Sequence, residues 1–434
     1  MNTVLAILDN LFDKNDVILI RGYHEYLDKL IQLSNKLDLV IGIQSLMTTQ
    51  IPFLIESGFL GRLKKIATKR NVFLIVGGPH ALGDPVGSVL SLPYHVAVIG
   101  ESEVIIPSLL NAILNSNIDG LFEIKGLTLK FNGDVYFTGF SRRIKCLDAS
   151  IPFPYWRGIV GPIEISRGCP WGCKYCQVTF THGASMRHRS IESIKFYIEK
   201  LIEFNALDLR FISPNALSYG GCGSKLCMDA LSKLIDMLFY FKIEHGARIF
   251  IGTFPSEVRP DFICNDTAKM LRKVASNKRV IIGVQTASPR LLKELNRGHT
   301  IEDVEEAVRI LNEFNFQVDL DFIFNLPGEE IDDVNETFRF IEEITSKYRV
   351  KIHAHTFIPL PGSPYARERP KRMSRELRHR LYKLIGEQRL YGQWERQEDL
   401  ALRIHELRMR RVILDLKFML ENMIRDGSVF KITI

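Results

Sequence analysis

The stretch of sequence that decides the fold is residues 163–176, which read IEISRGCPWGCKYC. Residues 163–165 have the pattern of a short buried strand, and a loop with three cysteines follows at once. Cys169, Cys173 and Cys176 are separated by three and two residues. Soft thiolates are the ligands of iron–sulfur clusters, and three of them hold a 4Fe-4S cluster with one iron left open. The stretch therefore predicts a strand that leads into a cluster-binding loop.

Two other interpretations remain for three neighbouring cysteines: a structural zinc site and buried free thiols. A structural zinc site takes four ligands, often as two separated pairs, and no second pair is placed to complete this one. Cys222 and Cys227 either bind an auxiliary cluster or are free, and two thiolates do not complete a cubane. The chain has seven cysteines, an odd number that does not suggest a disulfide framework and favours a reducing compartment.

Candidate strands continue beyond the cysteine loop, with helical patterns between them. With the first strand they number six, at residues 163–165, 207–212, 248–252, 280–284, 318–324 and 352–357. Six βα units are too few for a closed eight-unit barrel and predict a partial TIM-like (β/α)6 barrel. Because barrel ligands bind at the carboxyl ends of the strands, we expect Asn215 and Tyr219, after the second strand, to line an active site. Turn formation would need the same residue types.

The cysteine loop and two later motifs resemble the radical S-adenosylmethionine (SAM) superfamily. The motifs are GVQTAS with NRGHT, at residues 283–288 and 296–300, and FIFNLPGE at residues 322–329. The resemblance implies a 4Fe-4S cluster on the three cysteines and SAM on its open iron. It also implies contacts to the ribose, carboxylate and adenine of SAM. The side chains expected near SAM are Tyr175, Gln285, Ser288, Arg297 and Asn325.

The first third of the chain has the alternating pattern of a doubly wound, Rossmann-like sheet. We predict a helix at residues 2–12 and strands at residues 17–20, 39–42, 72–76 and 96–99. Because the chain opens on a helix, we expect either that the sheet lacks its first strand or that the true start lies upstream. Asn132-Gly133 predicts a hairpin turn. The expected regions are 1–120, a hairpin and linker at 121–158, the barrel at 159–365 and a helical C-terminal region at 366–434.

Small residues at the ends of these strands are similar to those of the cobalamin-binding domains that precede many radical SAM enzymes. The resemblance implies cobalamin as a further cofactor. The residues expected to contact it are Ser45, Thr49, Gly77, Gly78, Gly100 and Glu101. The Asp-x-His-x-x-Gly signature that gives a histidine to cobalt is absent, and His24 and His80 are its nearest substitutes. Arg187 and Arg189 have two interpretations. Either they bind a carboxylate or a cofactor propionamide, or they form a solvated basic face where Ser190 caps the start of a helix.

Composition fits a folded enzyme. The chain has 434 residues, 25% of them charged, and a formal net charge of +7. That excess is too small to indicate nucleic-acid binding. No apolar run is long enough to span a membrane and no signal peptide is visible, so a cytoplasmic protein is expected. A basic segment at residues 367–411 is either a solvated helix face or a surface for an acidic partner.

The resemblance implies a carbon methyltransferase. In that mechanism SAM is cleaved reductively, the 5′-deoxyadenosyl radical abstracts hydrogen from an unactivated carbon, and methylcobalamin delivers a methyl group. A ferredoxin or flavodoxin would supply the electron, and a peptide or protein side chain is the first expected substrate. The alternatives are radical coupling or ring formation on a lipid or small molecule, a cobalamin or redox sensor, and thiomethylation of nucleic acid. The last is disfavoured because no RNA-binding barrel is visible at the tail and the first region has no cysteine set.

Overall fold

The computed structural model describes residues 1–417, Leu420 and 429–432. The first sheet belongs to the N-terminal part of the chain, with one strand from the C-terminal end. Its strands are β1 (Val40–Ser45), β2 (Val72–Gly77), β3 (Val96–Val98), β4 (Leu127–Phe131), β5 (Asp134–Phe137) and β15 (Phe430–Ile432). Its helices are α1 (Asn2–Leu11), α2 (Tyr23–Ser34), α3 (Ile51–Glu56), α4 (Phe59–Ala67), α5 (Pro79–Gly83), α6 (Pro85–Leu90), α7 (Ser102–Leu114) and α8 (Ile118–Glu123).

The strand order of the first sheet is β1-β2-β3-β4-β5-β15. β1, β2 and β3 are parallel, whereas β4, β5 and β15 pair in antiparallel fashion. Asn132 and Gly133 both have positive φ, 51° and 86°, as a two-residue hairpin between right-twisted strands requires. The predicted Rossmann-like sheet and its hairpin are therefore confirmed.

One predicted strand of this sheet is wrong. Residues 17–20 form an irregular connection between α1 and α2, and β1 is the edge strand of the sheet. Of this run only Val17 is buried, and Ile18 is exposed. Four apolar residues do not make a strand unless a neighbour presents free backbone groups to them.

The second part of the chain forms the partial barrel. Its strands are β6 (Ile163–Glu164), β7 (Ser166–Arg167), β8 (Arg187–His188), β9 (Asp208–Ile212), β10 (Arg248–Phe250), β11 (Arg279–Gln285), β12 (Gln317–Phe324), β13 (Val350–Thr356) and β14 (Leu390–Tyr391). Its helices are α9 (Val178–His182), α10 (Ile191–Glu203), α11 (Met228–Glu244), α12 (Asn265–Val274), α13 (Pro289–Glu294), α14 (Ile301–Glu313), α15 (Ile331–Lys347), α16 (Arg375–Gly386) and α17 (Trp394–Met409).

All six predicted barrel strands are present. They lie in two parallel sheets, ordered β10-β9-β6 and β11-β12-β13-β14. Isolated parallel bridges pair Ile249 of β10 with Ala275 and Ile282 of β11 with Val258, two residues of the segment between β10 and β11. Side chains alternate along each strand. On β12, Leu320 and Phe322 are buried in the core, and Asp321 between them is half-buried and faces the inside of the curved sheet. The barrel lumen is therefore lined by the more polar half of each strand.

The C-terminal region joins the two parts of the molecule. Trp394, at the start of α17, belongs to the barrel core, whereas Ile404 and Leu407 belong to the core of the first sheet. The region is mostly helical, as predicted, but β14 extends the barrel sheet and β15 extends the first sheet. Short strands of two or three residues depend on tertiary pairing and leave little sequence signal.

Candidate cluster and cofactor site

The three cysteines lie on one loop between β7 and α9. The amide of Cys169 donates to Gly183 O over 3.0 Å, and the amide of Cys176 donates to Cys173 O over 2.9 Å. Gly168 has a φ of 96°, and a Cβ there would lie 2.3 Å from Ser185 O. Only glycine fits this position, because the backbone of the loop folds directly against it. The glycine before Cys169 thus shapes the loop.

All seven cysteines are free, and each lies in the described part of the chain. Burial raises the pKa of Cys169, and it raises the pKa of Cys176 to about 12. Without a metal these groups are therefore neutral thiols. Iron binding supplies the positive charge that makes buried thiolates stable.

Two buried arginines add positive charge beside the loop. Arg297 donates from Nη1 to Sγ of Cys173 over 3.5 Å and to the hydroxyl of Tyr175 over 3.0 Å. Arg259 lies over the ring of Trp171 at 3.6 Å and donates to Arg297 O over 2.7 Å. A cluster held by three thiolates carries net negative charge, which adjacent guanidinium groups stabilise. The donor set and its electrostatics fit a 4Fe-4S cluster.

The structure brings some of the residues expected near SAM to the loop and gives others partners elsewhere. Tyr175 and Arg297 are in direct contact with each other beside Cys173. Gln285 has a φ of 80° and lies at a β-bulge of β11. The hydroxyl of Ser288 donates to Asp333, 2.5 Å away, and caps α13. The side-chain amide of Asn325 donates to Lys371 O over 2.9 Å.

Asn215 and Tyr219, expected at the active site, are both buried. The hydroxyl of Tyr219 donates to Arg189 O over 2.6 Å, which ties the loop after β9 to the segment after β8. Asn215 accepts from the amide of Arg259 over 3.4 Å, and its Nδ2 has no partner among the described residues. Asn215 thus contacts Arg259, which lies beside the cysteine loop. The hydroxyl of Tyr219 instead binds a backbone carbonyl.

The carboxyl edge of the first sheet is lined by small residues. Gly78 has a φ of 90°, and a Cβ there would lie 2.6 Å from Ser45 Oγ and 3.0 Å from Leu46 N. A Cβ on Gly77 would meet nothing nearer than Val98 at 4.0 Å. Thr49 lies in the 3₁₀ turn Thr48–Gln50 that follows β1. The edge therefore has space above Gly77, whereas Gly78 is required by the close approach of Ser45 and Leu46.

His80 lies beneath this edge and is fully buried. Its Nδ1 contacts Thr48 Oγ1 at 3.0 Å, and its Nε2 has no partner among the described residues. Burial lowers the pKa of His80 to about 3, so the ring is neutral. His24 is exposed and contacts Arg62 through Nδ1 at 2.8 Å. Of the two histidines only His80 lies by the glycines, and an unpaired buried nitrogen suits a polar ligand group.

Acidic residues after β3 hold the first sheet against the cysteine loop. Glu101 lies 2.7 Å from Arg187 and 3.3 Å from Arg167, and Glu103 lies 3.0 Å from Arg167. Arg167 comes two residues before Cys169. Gly100, just before Glu101, has a φ of 147° and packs against Ser141. Ser190 caps α10 as expected. Arg187 forms an ion pair with Glu101 and does not lie on a solvated helix face.

Arg259 was not identified from the sequence, because it lies outside every motif and reaches the loop only through the fold. His299 lies in the NRGHT motif but was not among the side chains expected near SAM. It is buried, and burial lowers its pKa to about 2. The second cysteine pair lies beside the loop, because Trp171 Nε1 donates to Gly223 O over 3.0 Å. Cys222 is exposed, and its sulfur contacts Ser224 Oγ at 3.2 Å.

A strand that leads into a three-cysteine loop, at the carboxyl end of a partial barrel, defines an iron–sulfur enzyme site. Residues 163–341 match the sequence model of the Radical SAM superfamily. Residues 163–341 therefore form a radical SAM domain, and such a domain implies a 4Fe-4S cluster and SAM as cofactors. Within the part of the chain that the structure describes, every helix is too short or too polar to cross a membrane.

Curated relatives match this chain over part of its length. An uncharacterized methyltransferase, PH0819, from Pyrococcus horikoshii is 26% identical over 294 residues, which are 64% of this chain and 59% of that protein. The tRNA-2-methylthio-N(6)-dimethylallyladenosine synthase of Baumannia cicadellinicola is 27% identical over 238 residues, 54% of this chain and 50% of the synthase. The chain thus spans half to three-fifths of the length of these relatives.

Two solved structures share the fold. The radical SAM methyltransferase TsrM from Kitasatospora setae, with cobalamin and a 4Fe-4S cluster bound, superposes with a TM-score of 0.63 at 17% identity, covering 85% of this chain and 71% of TsrM. The cobalamin-dependent radical enzyme OxsB, with aqua-cobalamin bound, gives a TM-score of 0.57 at 17% identity, covering 79% of this chain and 49% of OxsB. Both matches extend beyond the barrel into other parts of the chain.

Proposed function

We propose that this chain is a cobalamin-dependent radical SAM enzyme that transfers a methyl group to an unactivated carbon. The observation that carries the proposal is the contact of Glu101 and Glu103 with Arg167. It fixes the glycine-lined edge of the first sheet next to the cluster loop. A methyl carrier on that edge would therefore lie close to the cluster. The TsrM and OxsB structures, which contain cobalamin, support this arrangement.

The cofactors, when bound, supply reductive SAM cleavage, hydrogen-atom abstraction and a methyl carrier. The protein's own residues bind and orient them. Cys169, Cys173 and Cys176 would bind three irons and leave the fourth to SAM. Arg259 and Arg297 would balance the charge of the thiolates. Gly77 and Gly78 would let the corrin approach the backbone, and the Nε2 of neutral His80 would be available to one of its polar groups.

A peptide or protein side chain remains the first proposed substrate. The support from the basic C-terminal region is limited, because several of its arginines are paired within the chain. Arg378 lies 3.4 Å from Glu395, Arg372 lies 3.3 Å from Asp399, and Arg403 contacts Glu56. These pairs favour the solvated-face interpretation of the segment, and they weaken the reason for a peptide or protein substrate, which is that a basic helical tail docks a macromolecule.

The test is anaerobic expression with a cobalamin supply, followed by cluster reconstitution. Iron and cobalt are measured first. The protein is then incubated with reductant, candidate peptides and SAM labelled in its methyl group. The expected result is 5′-deoxyadenosine and labelled product. Radical coupling predicts 5′-deoxyadenosine without label in the product, a sensor predicts no 5′-deoxyadenosine, and RNA thiomethylation predicts label in RNA. If the reconstituted protein contained zinc and no iron, the proposed mechanism would be refuted.

The cysteine assignment has a matched control. Cys173→Ala should lower bound iron and abolish 5′-deoxyadenosine formation, because two thiolates do not hold the cluster. Cys146→Ala, at an exposed cysteine away from the loop, should leave both unchanged. Equal iron in both variants would refute the assignment of the cluster to this loop.

A further inference from the structure

Three side chains with metal-ligating atoms converge inside the barrel, away from the cysteine loop. Asp321 lies on β12, and His353 and His355 lie on β13; all three are half-buried. His353 Nδ1 is 2.9 Å from Asp321 Oδ1, and His355 Nε2 is 3.1 Å from His353 Nδ1 and 3.7 Å from Asp321 Oδ1. Two imidazoles and a carboxylate therefore present one atom each to a common point.

Two of these separations, 2.9 and 3.1 Å, are close to those of ligands around one ion, and the third, 3.7 Å, is longer. Ligands about 2.1 Å from a divalent metal, at angles of about 90° to 110°, lie roughly 3.0 to 3.4 Å from one another. Two imidazole nitrogens with one carboxylate oxygen on one face are a donor set for borderline divalent metals such as Zn²⁺ and Fe²⁺, with positions left open on the opposite face.

The surroundings orient the rings and add negative charge. The ring of His353 stacks on Tyr391 with 4.6 Å between centroids. Gln397 contacts Nδ1 of His355 at 3.1 Å, and its Oε1 accepts from the amide of Thr356 over 2.9 Å. This contact leaves Nε2 of His355 facing Asp321. Glu257, half-buried, interacts electrostatically with Asp321 and both histidines, so a second carboxylate is close to the same point.

We propose that Asp321, His353 and His355 bind a divalent cation of the zinc type in the barrel lumen. The alternation along β12 and β13 turns these side chains to the inner face of the sheet, where a barrel enzyme binds its substrate. The open positions of the ion would take oxygen atoms of a substrate carboxylate, phosphate or hydroxyl. The binding of a substrate to the ion rests on the proposed methyl transfer. The metal site itself does not.

The test uses the full chain with its cluster already loaded, so that the cluster cysteines do not compete for the probe. Zn²⁺ is presented in a metal buffer, and bound zinc and iron are measured by mass spectrometry. We expect one zinc per chain. His355→Gln should weaken zinc binding about 100-fold or more, since even the loss of a partner outside the ligand set costs about 10- to 100-fold. His379→Gln, at an exposed histidine on α16, should bind zinc as the unaltered chain does.

A substitution of Gln397 is expected to strengthen zinc binding, whereas His355→Gln weakens it. When Nε2 of His355 binds an ion, its Nδ1 carries a proton and needs an acceptor. Gln397→Glu offers carboxylate oxygens to both Nδ1–H and the amide of Thr356, so zinc binding should tighten. Unchanged or weaker binding in Gln397→Glu, or equal zinc in His355→Gln and the unaltered chain, would overturn the proposal. Iron content shows that each variant is folded, and neither readout depends on 5′-deoxyadenosine formation.

Discussion

Arg297 donates a hydrogen bond from Nη1 to Sγ of Cys173 over 3.5 Å, from a position more than 100 residues further along the chain. A buried guanidinium beside a thiolate ligand stabilises the more negative, reduced cluster. We expect Arg297→Gln to make the cluster potential more negative by on the order of 50 mV, and Arg297→Lys by less. Redox titration followed by electron paramagnetic resonance measures this. Arg309→Gln, on the surface of α14, is the control. A potential that does not move would contradict a charge role for Arg297.

Arg167 contacts three carboxylates, those of Glu101, Glu103 and Glu164, and is itself buried. Arg167→Met leaves these acids without their cation, so we expect a loss of about 3 to 5 kcal/mol in the free energy of unfolding. Glu101→Gln should cost less, because two carboxylates still contact Arg167. Urea unfolding of the cluster-loaded protein measures both. A larger loss in Glu101→Gln than in Arg167→Met would show that Arg167 does not organise this contact.

Gly78 and Gly61 form a matched pair for alanine substitution. Gly78→Ala puts a Cβ 2.6 Å from Ser45 Oγ at a φ of 90°, so we expect a destabilisation of about 1 to 3 kcal/mol. Gly61 lies within α4 with nothing within 4 Å of its Cβ position, and Gly61→Ala should stabilise by about 0.4 to 1 kcal/mol. Thermal unfolding compares them. Bound cobalt should fall only in Gly78→Ala, and an unchanged cobalt content there would argue against a corrin at this edge.

Glu329 predicts a pH dependence of stability. Burial raises its pKa from 4.5 to about 8, so the folded protein holds a proton that the unfolded chain releases. The associated stability is complete below about pH 4.5 and is lost as the pH rises through 8. Between pH 6 and 8 we expect a loss of about 1 kcal/mol per pH unit. Glu329→Gln, which keeps an acceptor for the amide of Asn325, should remove that slope.

The measurement for Glu329 is the urea midpoint at pH 6, 7 and 8. At pH 8 the Glu329→Gln protein should be more stable than the unaltered chain. Glu368→Gln, at an exposed residue, should keep the original slope. The same slope in the Glu329→Gln protein would show that another group carries the dependence.

The barrel strands were predictable because each is a short segment rich in apolar residues with a helical pattern on either side. β12 was expected at residues 318–324 and is found at Gln317–Phe324, where apolar residues alternate with Asp319 and Asp321. Such alternation is the pattern of a strand with one buried face. Residues 17–20 are as apolar without becoming a strand, and β14 and β15 become strands although they are too short to show a pattern. In both cases strand formation depends on whether another strand, distant in the sequence, is available for pairing.

The site shows the same division between local and distant information. The three cysteines were predictable because they lie on one short loop, and their spacing along the chain is enough to indicate a cluster site. The approach of Arg259 was not, since it comes from another βα unit and lies outside every motif, whereas Arg297 was expected near SAM through the NRGHT motif. Asp321 and His353 meet because β12 and β13 pair with these two residues opposite each other. Register between strands is a property of the packed sheet, and one sequence does not display it.

The pairing of β15 with β5 has a consequence for biosynthesis. Residues 430–432 complete an edge that residues 134–137 present, so nearly 300 residues separate the partners. On the ribosome the hairpin emerges long before its neighbour exists, and until then its outer edge is open to other chains. The nascent protein therefore passes through a long interval in which a chaperone, or prompt closure of the barrel, would guard it against aggregation.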